Sequence, residues 1–308
     1  MTTSSETITS PRRRANPYSL RYRMRKWTRL VLDYAMLILL AFFFLFPVIF
    51  MLVSSLKNNE TQVIRDMSSL AAFLPIGDIG IQNYKDVFAE MPFGHFMLNS
   101  VLIVGSIVLA GVFVNSLIAF ALARLNFPGR SVLVGVVIAL IIIPFEAVAV
   151  PLLLLINQGP RMLGFGTWID SYHVQIIPFV ADALSIFLFY QFFIGLPKDL
   201  EEAALVDGAS RLRIYWQIVV PLSRPVFATV AILQFLTHWG DFLWPLMVTR
   251  GEAYRPLPVA MQQYFGRDPK LWGDIMAFAS MITIPVLIVF LLFQRWFIQS
   301  VASSGIKG

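Results

Sequence analysis

The stretch Leu196-Pro197-Lys198-Asp199-Leu200-Glu201-Glu202-Ala203-Ala204-Leu205-Val206-Asp207-Gly208-Ala209-Ser210, running on to Ile218-Val219-Val220-Pro221, is the longest run in the second half of the chain that reads as surface rather than membrane. Pro197 ends whatever helix precedes it. Asp199 can cap a new helix, with Glu202 three residues on completing a capping box. Leu200, Ala203 and Ala204 then share one face, and the two alanines let another surface press close. Gly208 stands where the helix should stop, because a left-handed residue just past a helix end suits glycine best. Ser210 can cap a second helix from Arg211 to about Val220, closed by Pro221 and Pro225. The predicted shape is helix, sharp turn, helix, flanked by apolar sequence on both sides. Such an element is built to be held by something else.

Composition explains the flanks. The 308 residues are 57% hydrophobic and 14% charged, against about a quarter charged in soluble domains, so the chain reads as an integral membrane protein. It has no cysteine, which excludes disulfides, a thiol nucleophile and thiolate metal sites. His95, His173 and His238 lie far apart in sequence and make no local ligand pair. The net charge of +6 follows the membrane habit of collecting Lys and Arg on the cytoplasmic side rather than nucleic-acid binding.

Residues 1–29 form a basic arm, with Arg12-Arg13-Arg14 and then Arg21, Arg23, Arg25 and Lys26, suited to anionic headgroups. Six apolar runs follow at about 30–53, 96–123, 132–156, 174–196, 226–248 and 275–298. Each is long enough to cross the roughly 30 Å hydrocarbon layer. The first carries no small-residue cleavage site and reads as an uncleaved span rather than a signal peptide. With six spans, sixteen of the 24 Lys and Arg fall on the face that holds both termini and the Glu202 loop. That bias makes this face cytoplasmic. The fold expected is therefore an all-α integral membrane protein with six transmembrane helices. It comprises an arm (1–29), a permease-like body (30–298) containing the loop 197–224, and a cytoplasmic tail (299–308). Two segments on the other face, Lys57 to His95 and Arg250 to Asp274, read as solvated connections with room for an outside partner.

Catalytic patterns are lacking. There is no Gly-x-x-x-x-Gly-Lys-[Ser/Thr] phosphate loop, no His-Glu-x-x-His helix and no nucleophile elbow. What remains is polar groups inside the spans, where a charge costs roughly 2.5–3.5 kcal/mol on insertion scales. These are Glu146 after Pro144, Asp182 in span four, and His238 and Asp241 within Thr237-His238-Trp239-Gly240-Asp241, with Asn115 and Gln234 milder. On one reading they line a path for a polar solute, with Trp239 and Trp244 offering faces for stacking. On the other they bond to neighbouring helices or to backbone freed by nearby Pro and Gly. Pro144, Pro151 and Pro178 predict bent helices in either case.

The spacing Glu202-Ala203-Ala204, three residues, Gly208, nine residues, Ile218, one residue, Val220-Pro221 resembles the signature loop of binding-protein-dependent ABC importer permeases. The family usually has Leu-Pro where this chain has Val220-Pro221. The resemblance extends along nearly the whole chain and narrows to carbohydrate-uptake permeases of the maltose type. It rests on Asn99-Ser100, on Ala119-Phe120-Ala121-Leu122-Ala123-Arg124-Leu125-Asn126-Phe127-Pro128-Gly129, on Trp239-Gly240-Asp241-Phe242 in place of the usual Trp-Asn-Glu-Phe, and on the ending Gly305-Ile306-Lys307-Gly308.

This resemblance implies a type I importer in a bacterial or archaeal plasma (inner) membrane. Two permease subunits, usually different, form the path, and two ATPase subunits that bind ATP and Mg attach beneath. A separate solute-binding protein delivers a sugar, polyol or related solute from outside. This chain itself would bind no cofactor or metal and catalyse no reaction. The resemblance makes Glu202, Ala203, Ala204, Asp207, Gly208, Ile218 and Pro221 the ATPase-coupling loop, and gives Gly305, Lys307 and Gly308 a partner contact. It leaves Glu146, Asp182, His238, Trp239 and Asp241 as the candidate solute path. The alternative is a self-sufficient ion-coupled transporter or channel using Glu146, Asp182 and Asp241 for protons or cations.

Overall fold

The computed structural model describes residues 20–305, and every regular element among them is helical. Helix α1 (Leu20–Ser55) takes in the last part of the basic arm and runs unbroken through Pro47. Its exposed apolar surface fits lipid, and it packs against α15 and, through Phe46 and Phe50, against Phe73 in the 3₁₀ turn at Leu70–Phe73. Short helices α2 (Glu60–Asp66) and α3 (Gln82–Glu90) follow, then α4 (Phe93–Arg124), the central span. Next come α5 (Arg130–Ile142) and α6 (Phe145–Met162), then α7 (Tyr172–Ile176), a 3₁₀ turn at Ile177–Phe179, and α8 (Ala183–Ile194). The hairpin is α9 (Asp199–Val206) and α10 (Arg211–Ile214), continued by a π-turn at Tyr215–Val219 and by α11 (Val220–Leu222). Helices α12 (Arg224–Trp239), α13 (Leu243–Val248), α14 (Leu257–Phe265) and α15 (Trp272–Gly305) complete the chain.

Four of these segments are long and apolar enough to cross a membrane, or six if each of two bent pairs counts as one span. The expected third span, 132–156, is not one helix: α5 and α6 meet at 107°. Pro144 has no N–H to carry α5 onward, and the residue before a proline leaves the helical region, as Ile143 does with ψ 116°. The expected fifth span, 226–248, stops at Trp239, because Gly240 and Asp241 separate α12 from α13. Span four is interrupted just before Asp182.

The two ends of α4 anchor the two main apolar cores. At its Phe93 end, Phe96 and Val104 pack with Val87 of α3, Leu257 and Tyr264 of α14, and Phe278 of α15. At its Arg124 end, Phe120 and Ala123 pack with Phe189 and Phe193 of α8, with Ile214, Tyr215 and Val219 of the hairpin, and with Val230 of α12. A third, smaller cluster joins Ile156, Val174, Trp244 and Val248.

The segment after α1 is more than a solvated connection. Lys57, 1% exposed, reaches Asp66 at 2.8 Å and donates to Ala71 O at 2.8 Å. Asn83 Nδ2 donates to Ser55 O and Lys57 O, both at 2.9 Å. The Glu60 carboxylate accepts the Trp272 and Gly273 N–H groups at 2.8 and 3.0 Å, capping the start of α15. On the neighbouring loop, Asn99 Nδ2 donates to Ala253 O and Arg255 O, each at 3.0 Å, while the Tyr172 hydroxyl donates to Asn99 Oδ1 at 2.6 Å. Ser100 Oγ accepts the Leu257 N–H. The pair Asn99-Ser100 thus ties this loop to the head of α4.

Two predictions follow from buried charge. The hydrogen bond from the Lys57 ammonium holds the Asp66 carboxyl below its ordinary range. A folded-state value below the unfolded one stabilises the fold at pH above the ordinary carboxylate range, and this gain is lost as pH falls through the lowered value. Asp66→Asn is therefore expected to lower the thermal midpoint of the purified protein at pH 7, with the gap to wild type closing at acidic pH. A gap that persists unchanged at low pH contradicts the assignment. At the other end, Arg124 and Glu201 form an ion pair at 2.8 Å with side chains 2% and 8% exposed. Arg124→Met or Glu201→Leu alone strands a buried charge and is expected to cost about 3–5 kcal/mol. The double variant should recover most of that loss in detergent melting experiments, and additive losses would count against a coupled pair.

Candidate functional site

Two features stand out from the packed body: an exposed hairpin at the Arg124 end of α4, and a cavity between the broken helices.

The hairpin keeps the predicted sharp turn with different caps. Asp199 lies inside the first turn of α9, and the N-cap is Lys198, which has helical backbone angles and makes no side-chain cap, so the expected capping box does not form. Asp199, Glu201 and Glu202 instead place three carboxylates in the first turn, where the helix dipole favours them. The turn itself is a full Schellman motif. Gly208 N donates to Leu205 O and Ala209 N to Ala204 O, with Asp207 as C-cap and Gly208 at φ +79°. Ser210 caps α10 as expected, its Oγ accepting the Arg213 N–H at 3.3 Å. The second helix does not close at Pro221. The Val220 N–H bonds to Tyr215 O, and this wider π-turn just ahead of the proline lets the chain stay helical to Leu222. Ser223 then marks an 80° bend into α12, with Pro225 in the first turn of the new helix.

On α9 the only buried side chain is Glu201. Leu200, Leu205 and Val206 are exposed, Val206 by 88%, as are Glu202 and Ala203, while Ala204 is half-buried. The helix is held to the body by one face and bares the other. Ile218 is half-buried against the core and Pro221 is exposed. The Tyr215 hydroxyl shares a 2.7 Å hydrogen bond with Ser116 Oγ on α4, and its ring packs on Phe120. Arg124, the other half of the joint, also donates to Leu196 O at 2.9 Å. Sequence reasoning overlooked Glu201. The signal lay in a lone arginine closing an apolar helix, which calls for a nearby acid.

The cavity measures about 400 Å³ and brings together four of the five proposed path residues: Glu146, Asp182, His238 and Asp241. Each sits at a helix break. Glu146 is in the first turn of α6 after Pro144. Asp182 is the N-cap of α8, its Oδ2 accepting the Ser185 N–H at 2.8 Å. His238 is in the last turn of α12, and Asp241 follows in the break before α13. Asn115 on α4 splints the interruption in span four: its Nδ2 donates to Val180 O and its Oδ1 accepts the Asp182 N–H, both at 3.0 Å. Gln234 donates to Ser185 Oγ at 3.1 Å. Its amide lies so close to Gly111 that a Cβ there would come within 2.6 Å of Oε1.

Trp239 is elsewhere. It is 4% exposed, stacks on Phe235 and donates its indole N–H to Ile282 O at 3.1 Å, so it braces α12 against α15. Trp244 is fully buried and donates to Val174 O. The aromatic faces on the cavity are instead Phe145 and Phe179, 5.5 Å apart, with Phe179 5.2 Å from the His238 ring. Both follow a helix-breaking proline, as Pro144-Phe145 and Pro178-Phe179, and that pairing was the available signal. Gly305 ends the helical part of α15, while Lys307 and Gly308 lie outside the described residues.

Cavity and hairpin are mechanically joined. Three residues, 196–198, and the end of α8 at Gly195 separate α8 from α9, and α8 then runs back to Asp182 at the cavity. On the other side α12 starts at Arg224, just past the hairpin, and ends at His238 and Trp239.

Residues 108–303 match the family described as "Binding-protein-dependent transport system inner membrane component". The arabinooligosaccharides transport system permease protein AraQ of Bacillus subtilis is 32% identical over 272 residues, spanning 88% of this chain and 93% of that protein. The trehalose/maltose transport system permease protein MalG of Thermococcus litoralis is 31% identical, over 88% and 94%. The sn-glycerol-3-phosphate transport system permease protein UgpE of Yersinia pestis is 31% identical, over 69% and 74%. Among solved structures, a chain of a bacterial ABC transporter involved in the import of the acidic polysaccharide alginate superposes with a TM-score of 0.75 at 23% identity. That match covers 91% of this chain and 99% of the other, and it shows a shared fold. With its bared hairpin, broken spans and matched length, this chain belongs to the binding-protein-dependent inner membrane components, the permease subunits of ABC importers.

Proposed function

We propose that this chain forms half of the translocation path of an ATP-driven importer for a carbohydrate or related polar solute. In this reading α9 is the coupling helix, seated in a groove of a partner ATPase that carries the ATP and Mg. A second permease subunit completes the path, and an extracytoplasmic solute-binding protein delivers the solute. Both termini and the hairpin face the cytoplasm of a bacterial or archaeal cell, six spans cross the inner membrane, and the tail with Gly305, Lys307 and Gly308 adds a contact beneath.

The observation that carries this reading is the bared face of α9. Leu200, Leu205 and Val206 stand in solvent on a helix whose end is fixed by Gly208 and whose buried side is bolted to α4 through Glu201. Covering such side chains in a partner's groove stabilises the contact by roughly 1.5–3 kcal/mol for each one fully buried. An ion-coupled transporter working alone has no use for that surface. The cavity supports the rest: a chamber beside three helix breaks, walled by Phe145 and Phe179 and edged with polar groups, suits a solute with both a ring face and hydroxyls. The solutes in the relatives' names fall into two charge classes. Arabinooligosaccharides, trehalose and maltose are neutral, while glycerol-3-phosphate and alginate are anionic.

Three measurements test the proposal. A pull-down in mild detergent through an N-terminal tag is expected to recover an ATPase and a second permease, and recovery of this chain alone under several detergents would contradict it. Gly208→Val meets no steric neighbour yet forces a branched residue to φ +79°, and Glu202→Lys reverses a charge on the bared face. Both are expected to abolish solute uptake while membrane insertion stays at wild-type level, and normal uptake by either removes the coupling role. Sidedness is accessible because the chain has no cysteine. Ser210→Cys should react with a membrane-impermeant maleimide only after the cytoplasmic face is opened, and labelling in intact spheroplasts would reverse the topology.

A further inference from the structure

The cavity between the helix breaks has a one-sided chemistry. Its polar wall carries the carboxyl groups of Glu146, Asp182 and Asp241, together with Ser185, Gln234, Thr237 and His238. Gln234 is buried, its Nε2 donating to Ser185 Oγ and its amide wedged against Gly111. No lysine or arginine lines the chamber. An ionised carboxylate accepts hydrogen bonds and donates none. The wall is therefore complementary to a solute that donates hydrogen bonds, and sugar hydroxyls do so from every side of the ring.

The same wall disfavours an anion, and does so where one would otherwise bind. Helix N-termini attract phosphate and carboxylate groups, and two begin at this cavity: α6, of 18 residues, and α8, of 12. One of the chain's own carboxylates caps α8, and another lies beside the start of α6, where no side chain makes a cap bond. Asp182 Oδ2 takes the Ser185 N–H, and Glu146 occupies the first turn of α6. An incoming uronate or phosphate ester meets three carboxyl groups and no lysine or arginine, in surroundings that screen charge less than water does. A neutral saccharide loses nothing by the same encounter.

We propose that this chain's side of the path is a charge filter, with Glu146, Asp182 and Asp241 admitting neutral, hydroxyl-rich saccharides and turning away anionic ones. This rests on the reading of the cavity as part of the solute path, and it decides the charge class that the relatives leave open. The filter acts inside the membrane, after delivery, so it is separable from whatever the solute-binding protein prefers.

The test uses the complete importer, with its ATPase and second permease, in nanodiscs and without the solute-binding protein. Maltotriose, arabinotriose and trigalacturonate are compared by saturation-transfer-difference NMR. The wild type is expected to give a signal with a neutral trisaccharide and one at least about tenfold weaker with trigalacturonate. In the double variant Glu146→Gln, Asp182→Asn the asparagine still caps α8, and the two classes should come within about threefold of each other. Equal binding of trigalacturonate by the wild type, or a ratio unmoved in the double variant, overturns the filter and leaves the path reading standing. Leu233→Trp, which fills the cavity, separates the two ideas: an undiminished neutral signal in that variant would overturn the path reading instead. Silence from all three saccharides with the wild type would overturn both.

Discussion

A backbone group that loses its helical partner inside a membrane has no water to turn to, and much of this structure follows from that constraint. The helices break at Pro144, at Val180–Ala181 and at Gly240–Asp241, and each break frees backbone N–H and carbonyl groups. The chain answers with side chains. Asn115 reaches across from α4 to serve both Val180 O and the Asp182 N–H, and Asp182 in turn serves the Ser185 N–H. These polar residues are needed because the helices stop, and the helices stop where a chamber opens. Structural and functional accounts of Asp182 are therefore not rivals. The residue that caps α8 is also the one that faces the cavity.

The second organising contact lies at the opposite end of α4. A helix as exposed as α9 gains little from its own packing, since its single buried side chain is a carboxylate. Burying a charge is unfavourable unless a partner comes with it, and Arg124 is that partner, itself tied to Leu196 O. The joint is directional where an apolar contact would slide. A groove that grips the bared face of α9 and rotates would carry the Arg124 end of α4 along rather than shear off its surface. Tyr215, bonded to Ser116 and packed on Phe120, makes the same connection from the other limb of the hairpin.

Much of this was legible in the sequence, and the parts that were not share one cause. Gly208 and Ser210 were readable because a left-handed turn and an N-cap are local matters, decided within four residues. The apolar runs located four to six candidate spans for the same reason. The capping box failed because α9 begins at Asp199 itself, after Lys198 in helical geometry, and Glu201 was missed because its partner Arg124 stands 77 positions away, where a contact leaves no local periodicity. Span three looked continuous because hydropathy does not register a missing N–H, although Pro144 was noted as a bend. Trp239 looked like a stacking surface beside Asp241, yet it points into the core while Phe145 and Phe179 take the cavity wall. Neighbours in sequence at a helix break face different ways, so the motif Trp239-Gly240-Asp241 divides between two environments.

The way the halves connect suggests how force would travel. Helix α8 leaves the hairpin on one side and α12 enters from it on the other, and at about 1.5 Å per residue their 12 and 16 residues reach some 18 and 24 Å toward the cavity. Asp182 and His238 sit at the far ends of these two rods. A small rotation imposed on the hairpin would, in the proposed reading, be carried along α8 and α12 to two residues on the chamber wall, with the breaks beyond them, at Val180–Ala181 and Gly240–Asp241, placed to absorb the change in angle. Rigid rods ending at capped breaks convert rotation at one face into a change of access at the other. The polar groups that satisfy the broken backbone are then the same groups that would release and re-form contacts with the solute as the chamber changes shape.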